Sequence, residues 1–589
     1  MHDNLRAFLE VLRKEKDLAV INEPVDPHLE IAEIHRRVID EGGPALLFTN
    51  VKGSAFPVVT NLFGTSRRVD LAFGPKPEAF MRNVIAAKDT LIPPTPKALW
   101  NERQMILDLL KVGTKTVSTS DAPVLDVCDE NAPLSKLPVL TCWQEDGGPF
   151  VTLPLVYTEH PEHGRNGHNL GMYRMQVYDG NTTGMHWQIH KGGGFHYHEA
   201  ELLNKPLPVT VFLGGPPALI ASAIAPVPEH LPELMLTSLI LGRKLPVAED
   251  PRGGAHRLVA QAEFAISGEV PPHLRRSEGP FVDHFGYYSL THDFPIFNVR
   301  RVYHRKDAIY PATIVGKPRQ EDYYLGEFLQ RLLSPAFPLA MPGVKDLWTY
   351  AETGFHPLAA AVVRESYRRE AIGSAFRILG EGQLTLTKFL IVTDRPQSLS
   401  DFSALLECVL ERFDPHTDLF VINHTSHDTL DYTGHQLNHG SKAFLLGVGQ
   451  PIRELPRSYE GGALPGIMDA RAYCGGCLVV SGASYENNRS LPEQLLASSA
   501  DRLANWPLIV LVDNVESTCR NQTSFLWTVF TRFNPAMDMY ARNTVNRHHV
   551  AYELPIVIDA RMKPGYPDEL FPREDIVDLV DQRWNHYFQ

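Results

Sequence analysis

The residues with the most chemical reach lie between Asn166 and His198, in NGHNLGMYRMQVYDGNTTGMHWQIHKGGGFHYH. The stretch LGMYRMQVYD alternates as a strand does, with Met172, Arg174 and Gln176 on one face and Tyr173, Met175 and Val177 on the other. Arg174 is thereby set among apolar residues, where a guanidinium without an anion beside it is costly. Its partner is either a structural carboxylate or a bound anionic ligand. Asn169 stands five residues earlier, an odd separation that puts it on the opposite face unless Gly171 bends the strand. His186, His190, His196 and His198 follow, around Gly192, Gly193 and Gly194. Histidine is a common zinc ligand, but HWQIH lacks the catalytic Glu of the metalloprotease pattern and the glycines interrupt a helical i, i+4 pair. Lys191 ahead of three glycines suits close backbone approach to a phosphate.

Two further segments carry carboxylates. APVPEHLPELM holds Glu229 and Glu233, which near a helix start can serve simply as cap or dipole partners. RRSEGPFVDHFGYY holds Glu278 and Asp283 on either side of a Gly-Pro turn, embedded in aromatics. In such a loop one carboxyl can be kept protonated as an acid while the other pairs with an Arg; a polar surface turn is the plain alternative. Cys474-Gly475-Gly476-Cys477 is the remaining motif. CxxC is half a zinc site or a redox pair, yet no second CxxC or Cys–His pair completes it. RAYCGGCLVV reads as a loop entering a buried strand, with packed thiols.

The elements that must position these groups follow from the rest of the chain. Its 589 residues exceed what one core can serve, so two to four domains are expected. The 42 Gly and 46 Pro favour strands and turns over a helical bundle. A net charge of −13 argues against nucleic acid or an acidic membrane surface as the main partner. Six cysteines do not make a disulfide framework and fit a reducing cytoplasm. No stretch approaches the ~18 uninterrupted apolar residues of a spanning helix, and the first twenty residues lack a signal-peptide core.

Leu5, Phe8, Leu9 and Leu12 form one helical stripe; LAVI, ALLF and PVVT read as strands, and LEIAEIHRRVIDEGG as a helix stopped by paired glycines. The first hundred residues therefore form a small α/β unit. From about Pro123 to Tyr310 short β-rich segments punctuated by Gly and Pro predict a mainly antiparallel barrel, with a helix near HLPELMLTSLILG. EDYYLGEFLQRLL at 321–333 predicts a helix leading to a third region of alternating strands and helices. There, LTKFLIVTD and DFSALLECVLERFDP are echoed about 120 residues later by WPLIVLVD and FLWTVFTRFNPAMDMY. Asp394 precedes Arg412 by 18 residues and Asp513 precedes Arg532 by 19. Both stretches run strand, Asp, helix, Arg-Phe-(Asp/Asn)-Pro-x-x-Asp, which suggests a duplicated α/β unit whose paired sheets cover faces neither covers alone. Coincidence between two ordinary strand–helix units is the competing reading.

Taken together, NLGMYRMQV, HWQIHKGGG, LGGPPALIASAIAPVPEHLPE and SEGPFVDHFGYY follow the order and spacing of the UbiD family, the prenylated-FMN-dependent reversible decarboxylases. The opening LRAFLEVLRKEKDLAVINEPVDPHLEIAEIHRRV and the later LTKFLIVTDRP and RFDPHTDLFVIN resemble that family too, so the likeness spans roughly residues 4–450. It implies an α+β multidomain chain. The expected parts are an N-terminal α/β domain (1–120), a central split β-barrel of flavin-reductase type (121–320), a helical linker (321–338), a C-terminal α/β oligomerisation domain (339–455) and an extension (456–589) that holds the second copy.

By the same resemblance, Asn169 and Glu233 match the ligands of a divalent metal, normally manganese, with His190 as a third ligand and His186 as its alternative; potassium is a further expected ion. Oxygen donors beside a phosphate suit Mn²⁺ better than Zn²⁺. Met172, Tyr173, Arg174, His186, Trp187, Gln188, Lys191 and Gly192 match positions lining prenylated FMN. Arg174, Glu278 and Asp283 match the family's catalytic Arg and two acids. The second acid is Asp, as in the branch acting on polyprenylated hydroxybenzoates, where the ferulate-type enzymes have Glu. The implied activity is non-oxidative decarboxylation of 4-hydroxy-3-polyprenylbenzoate in ubiquinone synthesis. Alternatives are a dihydroxynaphthoate of menaquinone synthesis, an unprenylated aromatic acid, a conventional FMN oxidoreductase, and a non-catalytic assembly protein. A flavin prenyltransferase would supply the cofactor, a polyprenyl substrate would bring peripheral membrane contact, and the family pattern implies a homo-oligomer.

Overall fold

The computed structural model describes residues 2–91, 95–103, 107, 110–187, 192–225 and 232–588. The chain divides into two compact units, Met1–Leu332 with Glu569–Gln589, and Leu333–Asp568. In the first unit the opening helix Leu5–Lys14 is capped by Asn4, whose side chain accepts from the Ala7 N–H, and it buries the stripe Leu5, Phe8, Leu9 and Leu12. The strands Leu18–Ile21, Ala45–Phe48 and Val58–Thr60 are joined in one sheet by Tyr310–Pro311, which returns from far along the chain. The last helix, Glu574–Tyr587, also belongs here. Tyr587 Oη donates to the buried Glu30 at 2.7 Å and Arg583 pairs with the same carboxylate, so the C-terminus is tied to the helix Glu30–Asp40.

The centre of the unit is an eight-stranded sheet with every pairing antiparallel. Its main path runs Thr182–Gly184, His292–His304, Phe264–Val270, Leu207–Leu213, Leu155–His160, Gly164–Met172, and Arg275–Glu278 and Val127–Asp129 also pair with the long His292–His304 strand. Among the described residues no pairing joins the two ends of that path. LGMYRMQVYD departs from the alternation that its sequence predicts. Gly164–Met172 ends opposite Leu155, residues 173–174 break the pairing, and Met175–Gln176 resumes in a separate two-stranded sheet with Phe150–Val151. Arg174 therefore sits at a strand break and not within a strand. The partner strand supplies no further pairing beyond Leu155, which releases the backbone at this point.

The second unit holds two five-stranded sheets. The first uses Val344–Thr349, Leu358–Val363, Phe389–Thr393, Leu419–Ser426 and His439–Gly447; the second uses Ile467–Cys474, Cys477–Gly482, Leu508–Val512, Met539–Tyr540 and Ile556–Asp559. Numbered along the chain, both are ordered first, second, third, fifth, fourth, with antiparallel outer pairs and parallel inner ones. Matched local bonds go with the matched topology. The Gly449 N–H donates to Asp394 at 3.2 Å and the Met562 N–H to Asp513 at 2.8 Å. The Asp414 N–H donates to Asp418 at 3.0 Å and the Asn534 N–H to Asp538 at 2.7 Å. The helices Phe402–Leu410 and Gln522–Arg532 bury Leu405, Leu406 and Val409, and Phe525, Leu526 and Val529, in one shared core, joined there by Phe413 and Phe533 just past the helix ends. These stripes occupy the same positions relative to the matched Arg412 and Arg532, as a duplicated unit requires.

At the end of the interior strand Ile556–Asp559, Arg561 and Asp559 form a fully buried pair at 2.6 Å. Removing one member strands the other charge. We expect Asp559→Ala to lower the stability of the second unit by about 3–5 kcal/mol, read from its urea transition; a loss below about 1 kcal/mol would show that the two backbone carbonyls on Arg561 suffice.

Candidate active site

The break after Met172 sends two neighbouring side chains to two different partners. Tyr173 turns to Asn169: its hydroxyl accepts from Asn169 Nδ2 and from the Gly193 N–H, both at 3.3 Å. Arg174 turns to the acid-bearing loop, donating from Nε to Glu278 Oε1 and from Nη2 to Ser289 Oγ, both at 3.0 Å, with its guanidinium 4.9 Å from the Phe281 ring centre. Asn169 and Arg174 thus belong to two hydrogen-bond clusters on either side of the break.

At the Arg174 end, Glu278 closes the Arg275–Glu278 strand and is fully buried. Oε1 accepts a second bond, from His186 Nδ1 at 3.0 Å, whereas Oε2 is buried with no hydrogen-bond partner among the described residues. Burial alone would push the Glu278 carboxyl up, but His186 and Arg174 together hold it below the usual range. Burial and Arg174 lower His186 in turn, against the Glu278 carboxylate that raises it. Gly279, at φ +102°, then turns the chain into a region that disfavours any other residue. A tight hairpin follows: the Ser289 N–H donates to Phe281 O at 2.8 Å and the Phe285 N–H to Asp283 Oδ1 at 2.9 Å. Asp283 is thus fixed, 5 % exposed, on the loop that carries both partners of Arg174.

At the Asn169 end, Glu233 begins the helix Glu233–Leu241 and accepts the Leu170 N–H at 3.0 Å, which brings its carboxylate beside Asn169. Desolvation pushes this carboxyl up to about 7. A Cβ on Gly192 would lie 2.2 Å from Asn169 Oδ1, so only glycine fits at the start of the Gly192–Leu202 helix. Trp187 is buried beside Tyr197, and its Nε1 has no partner among the described residues. Gln188, His190, Lys191 and Glu229 lie outside the described residues. The remaining histidines diverge: His186 faces Glu278, His196 bonds Thr158 at 2.8 Å, and His198 is exposed. Among the described residues no group of three or more His, Cys, Asp or Glu could hold a metal ion.

Two supports escape the sequence reading. Ser289 holds Arg174, and nothing in DHFGYYSL singles it out. Asp146 takes the N–H groups of Cys142 and Trp143 on Oδ2, at 3.0 and 2.9 Å, and that of Val282 on Oδ1 at 3.4 Å, tying the WQEDGG loop to the Asp283 loop. Gln176 bridges the same loops, accepting from the Gly279 N–H and donating to Gly147 O. An Asp ahead of paired glycines was the available signal.

Three family models cover most of the chain. Residues 115–318 match the 3-octaprenyl-4-hydroxybenzoate carboxy-lyase Rift-related domain, 9–88 the corresponding N-terminal domain and 323–447 the C-terminal domain, together called UbiD. A protein of Chlamydia trachomatis is 51% identical over 588 residues, 99% of this chain and all of its own length. A Chlamydia pneumoniae protein, named as one of the subunits of 4-hydroxybenzoate decarboxylase, is 49% identical over 589 residues, 99% of this chain and 98% of its own. Among solved structures, the vanillic acid decarboxylase of Sedimentibacter hydroxybenzoicus in closed form superposes with a TM-score of 0.67 at 24% identity, over 79% of this chain and 96% of that one. The UbiD-class enzyme HmfF of Pelotomaculum thermopropionicum in complex with FMN gives 0.63 at 24% identity, over 79% and 98%. These last two likenesses concern the fold.

Burial pushes the Asp146 carboxyl up to about 6, well above the ordinary 3.8, against the bonds it accepts from Trp143, Cys142 and Val282. A raised acid contributes stability that is complete below its unfolded pKa and is lost as pH rises through the folded one. The first unit should therefore lose urea resistance between pH 4 and 6.5 more steeply than an Asp146→Asn variant does; parallel profiles would contradict the assignment.

Proposed function

The chain belongs to the UbiD family of carboxy-lyases, and on that premise we propose that it decarboxylates an aromatic acid of the 4-hydroxybenzoate type with prenylated FMN held through a divalent metal. The observation that supports this reading is the strand break at residues 173–174, at which Tyr173 bonds to Asn169 and Arg174 pairs with Glu278; on this reading the Arg–Glu pair with its acid-bearing loop and the Asn–Glu oxygen pair are the two ends of one site. Two features fit the implied groups. The buried indole N–H of Trp187 has no acceptor among the described residues, and the desolvated Glu233 carboxylate beside the Asn169 amide suits a hard cation. Asn169 and Glu233, with His190, would hold Mn²⁺; Tyr173, Trp187 and Gly192 would line the flavin. Bound prenylated FMN would supply the electron sink that no amino-acid side chain offers when CO₂ leaves an sp² carbon.

The chain's own residues then divide the remaining work. Arg174 binds the substrate carboxylate with the guanidinium edge not engaged by Glu278 and Ser289. Glu278 keeps that guanidinium oriented and charged, and His186, bonded to the same carboxylate oxygen, fixes Glu278 in turn. Asp283 holds a proton on its carboxyl group and delivers it to the ring carbon that has lost CO₂. Its side chain is one methylene shorter than a Glu, so the ring must approach this loop closely. The leading substrate is 4-hydroxy-3-polyprenylbenzoate, whose ring the matching family models name. The name of the Chlamydia pneumoniae relative favours the same ring without the tail as a second reading.

The test is CO₂ release from both acids by protein co-expressed with a flavin prenyltransferase, together with the mass of the extracted flavin. Release with a prenylated flavin supports the proposal; an unmodified FMN and hydride transfer to the same ring acids would replace it with an oxidoreductase. Asp283→Asn should cut turnover at least about a hundredfold while the flavin absorbance stays that of the parent protein. Glu233→Gln should lose manganese measured by elemental analysis, and full metal content in that variant would remove Glu233 from the ligand set.

A further inference from the structure

The decarboxylase reading leaves one motif unused. The Gly475-Gly476 turn leads into the buried strand Cys477–Gly482, as the sequence suggests, and Cys474 and Cys477 are the last and first residues of two antiparallel strands that face each other directly in register. Directly opposed antiparallel residues have Cα atoms about 4.5–5.5 Å apart, inside the ~4.4–6.8 Å range that a disulfide spans. The short helix Val515–Thr518, which Cys519 terminates, packs against both strands and brings a third thiol to the same corner. All three are free thiols; Cys477 is buried and Cys474 and Cys519 are partly exposed.

The duplicated sheet acts as an internal control. In the first sheet the corresponding strands are Val344–Thr349 and Leu358–Val363, joined by a longer connection that contains no cysteine. The repeat therefore folds without thiols here, and their placement in one copy is not a demand of the fold. The hairpin tip is also a contact point. The Gly475 N–H donates at 2.7 Å to Glu407, on the helix Phe402–Leu410 of the first sheet, and Arg457 grips the same carboxylate with both Nη atoms.

We propose that Cys474 and Cys477 are a redox-active dithiol that closes reversibly to a cross-strand disulfide at the hairpin tip. The oxidant class is a small disulfide of the glutathione type. The Cys474 sulfur, the more accessible of the pair, attacks one sulfur of the oxidant, breaks its S–S bond and releases one small thiol. The Cys477 sulfur then attacks Cys474 in the mixed disulfide and expels the second small thiol. Two cysteine thiols are oxidised, one disulfide is reduced to two thiols, and the two cysteine protons end on those thiols. Burial, with Cys474 beside it, pushes the Cys477 thiol up, which makes it the resolving group and not the first nucleophile. The closed loop has only four residues, so it adds little chain-entropy stabilisation. Its effect is to fix the tip that meets Glu407, and a directly cross-strand bridge belongs to the strained, easily reduced class.

The experiment uses the full chain, reduced and then incubated with glutathione disulfide, with thiols trapped by maleimide after denaturation. We expect the six free thiols to fall to four, with a loss of two mass units before trapping, a peptide linking Cys474 to Cys477, and full reversal by dithiothreitol. Cys519→Ser should go from five trapped thiols to three under the same treatment, and Cys474→Ser should keep all five. Six reactive thiols after oxidation, a lasting glutathione adduct on Cys474, or a bridge to Cys519 would each overturn the proposal. The readout is independent of decarboxylation, so its failure leaves the catalytic reading standing.

Discussion

A buried guanidinium is the constraint around which the first unit is arranged. Arg174 cannot be held away from water without an anion, and the anion it has, Glu278, is itself fully buried. Each charge is tolerable only because the other is there. That mutual dependence fixes where the Arg275–Glu278 strand must end, why Ser289 lies within reach of Nη2, and why the hairpin that carries Asp283 is tied down by Asp146 and Gln176. Among the described residues Oε2 of Glu278 has no partner, so this pair leaves a buried acceptor that a ligand can satisfy.

The second constraint is the strand break at residues 173–174, which separates what we propose are the two ends of the site. Had Gly164–Met172 run on through Gln176, Tyr173 and Arg174 would have faced opposite sides of one sheet. With the pairing interrupted, consecutive residues serve the oxygen-donor end and the Arg–Glu end. The glycine at position 192 completes the oxygen-donor end, because any side chain there would collide with Asn169. A rigid sheet with one local release gives both the precision and the change of direction that a two-ended site needs.

The second unit holds two sheets of one topology that differ in their chemistry. Strand order, strand direction and the Asp394 and Asp513 loop contacts are shared by the two sheets, and the helices packed between them present equivalent apolar stripes to one core. Each sheet covers a face the other would leave bare. What differs is the chemistry at the ends of the strands: thiols and the buried Arg561–Asp559 pair in the second copy, and in the first copy a buried Lys388–Asp431 pair at 2.7 Å.

Much of this was legible in the residues alone. The helical stripe of Leu5, Phe8, Leu9 and Leu12, the helix at 321–333, the order of the motifs around Arg174, Glu278 and Asp283, and the Asp–Arg–Phe–Pro echo all depend on local periodicity or on spacing, which a sequence carries directly. The break at Tyr173–Arg174 was not legible, because alternation continues through it and only the end of the partner strand at Leu155 stops the ladder. Nor were Ser289 and Asp146, whose roles come from residues more than a hundred positions away, or the pairing of Cys474 with Cys477 across a hairpin. The sequence by itself determined which side chains could do chemistry and which family of catalysts they belong to. The tertiary structure alone decided which of them meet, because burial and long-range hydrogen bonding set the cost of a charge, and neither is a property of the residues nearby in the chain.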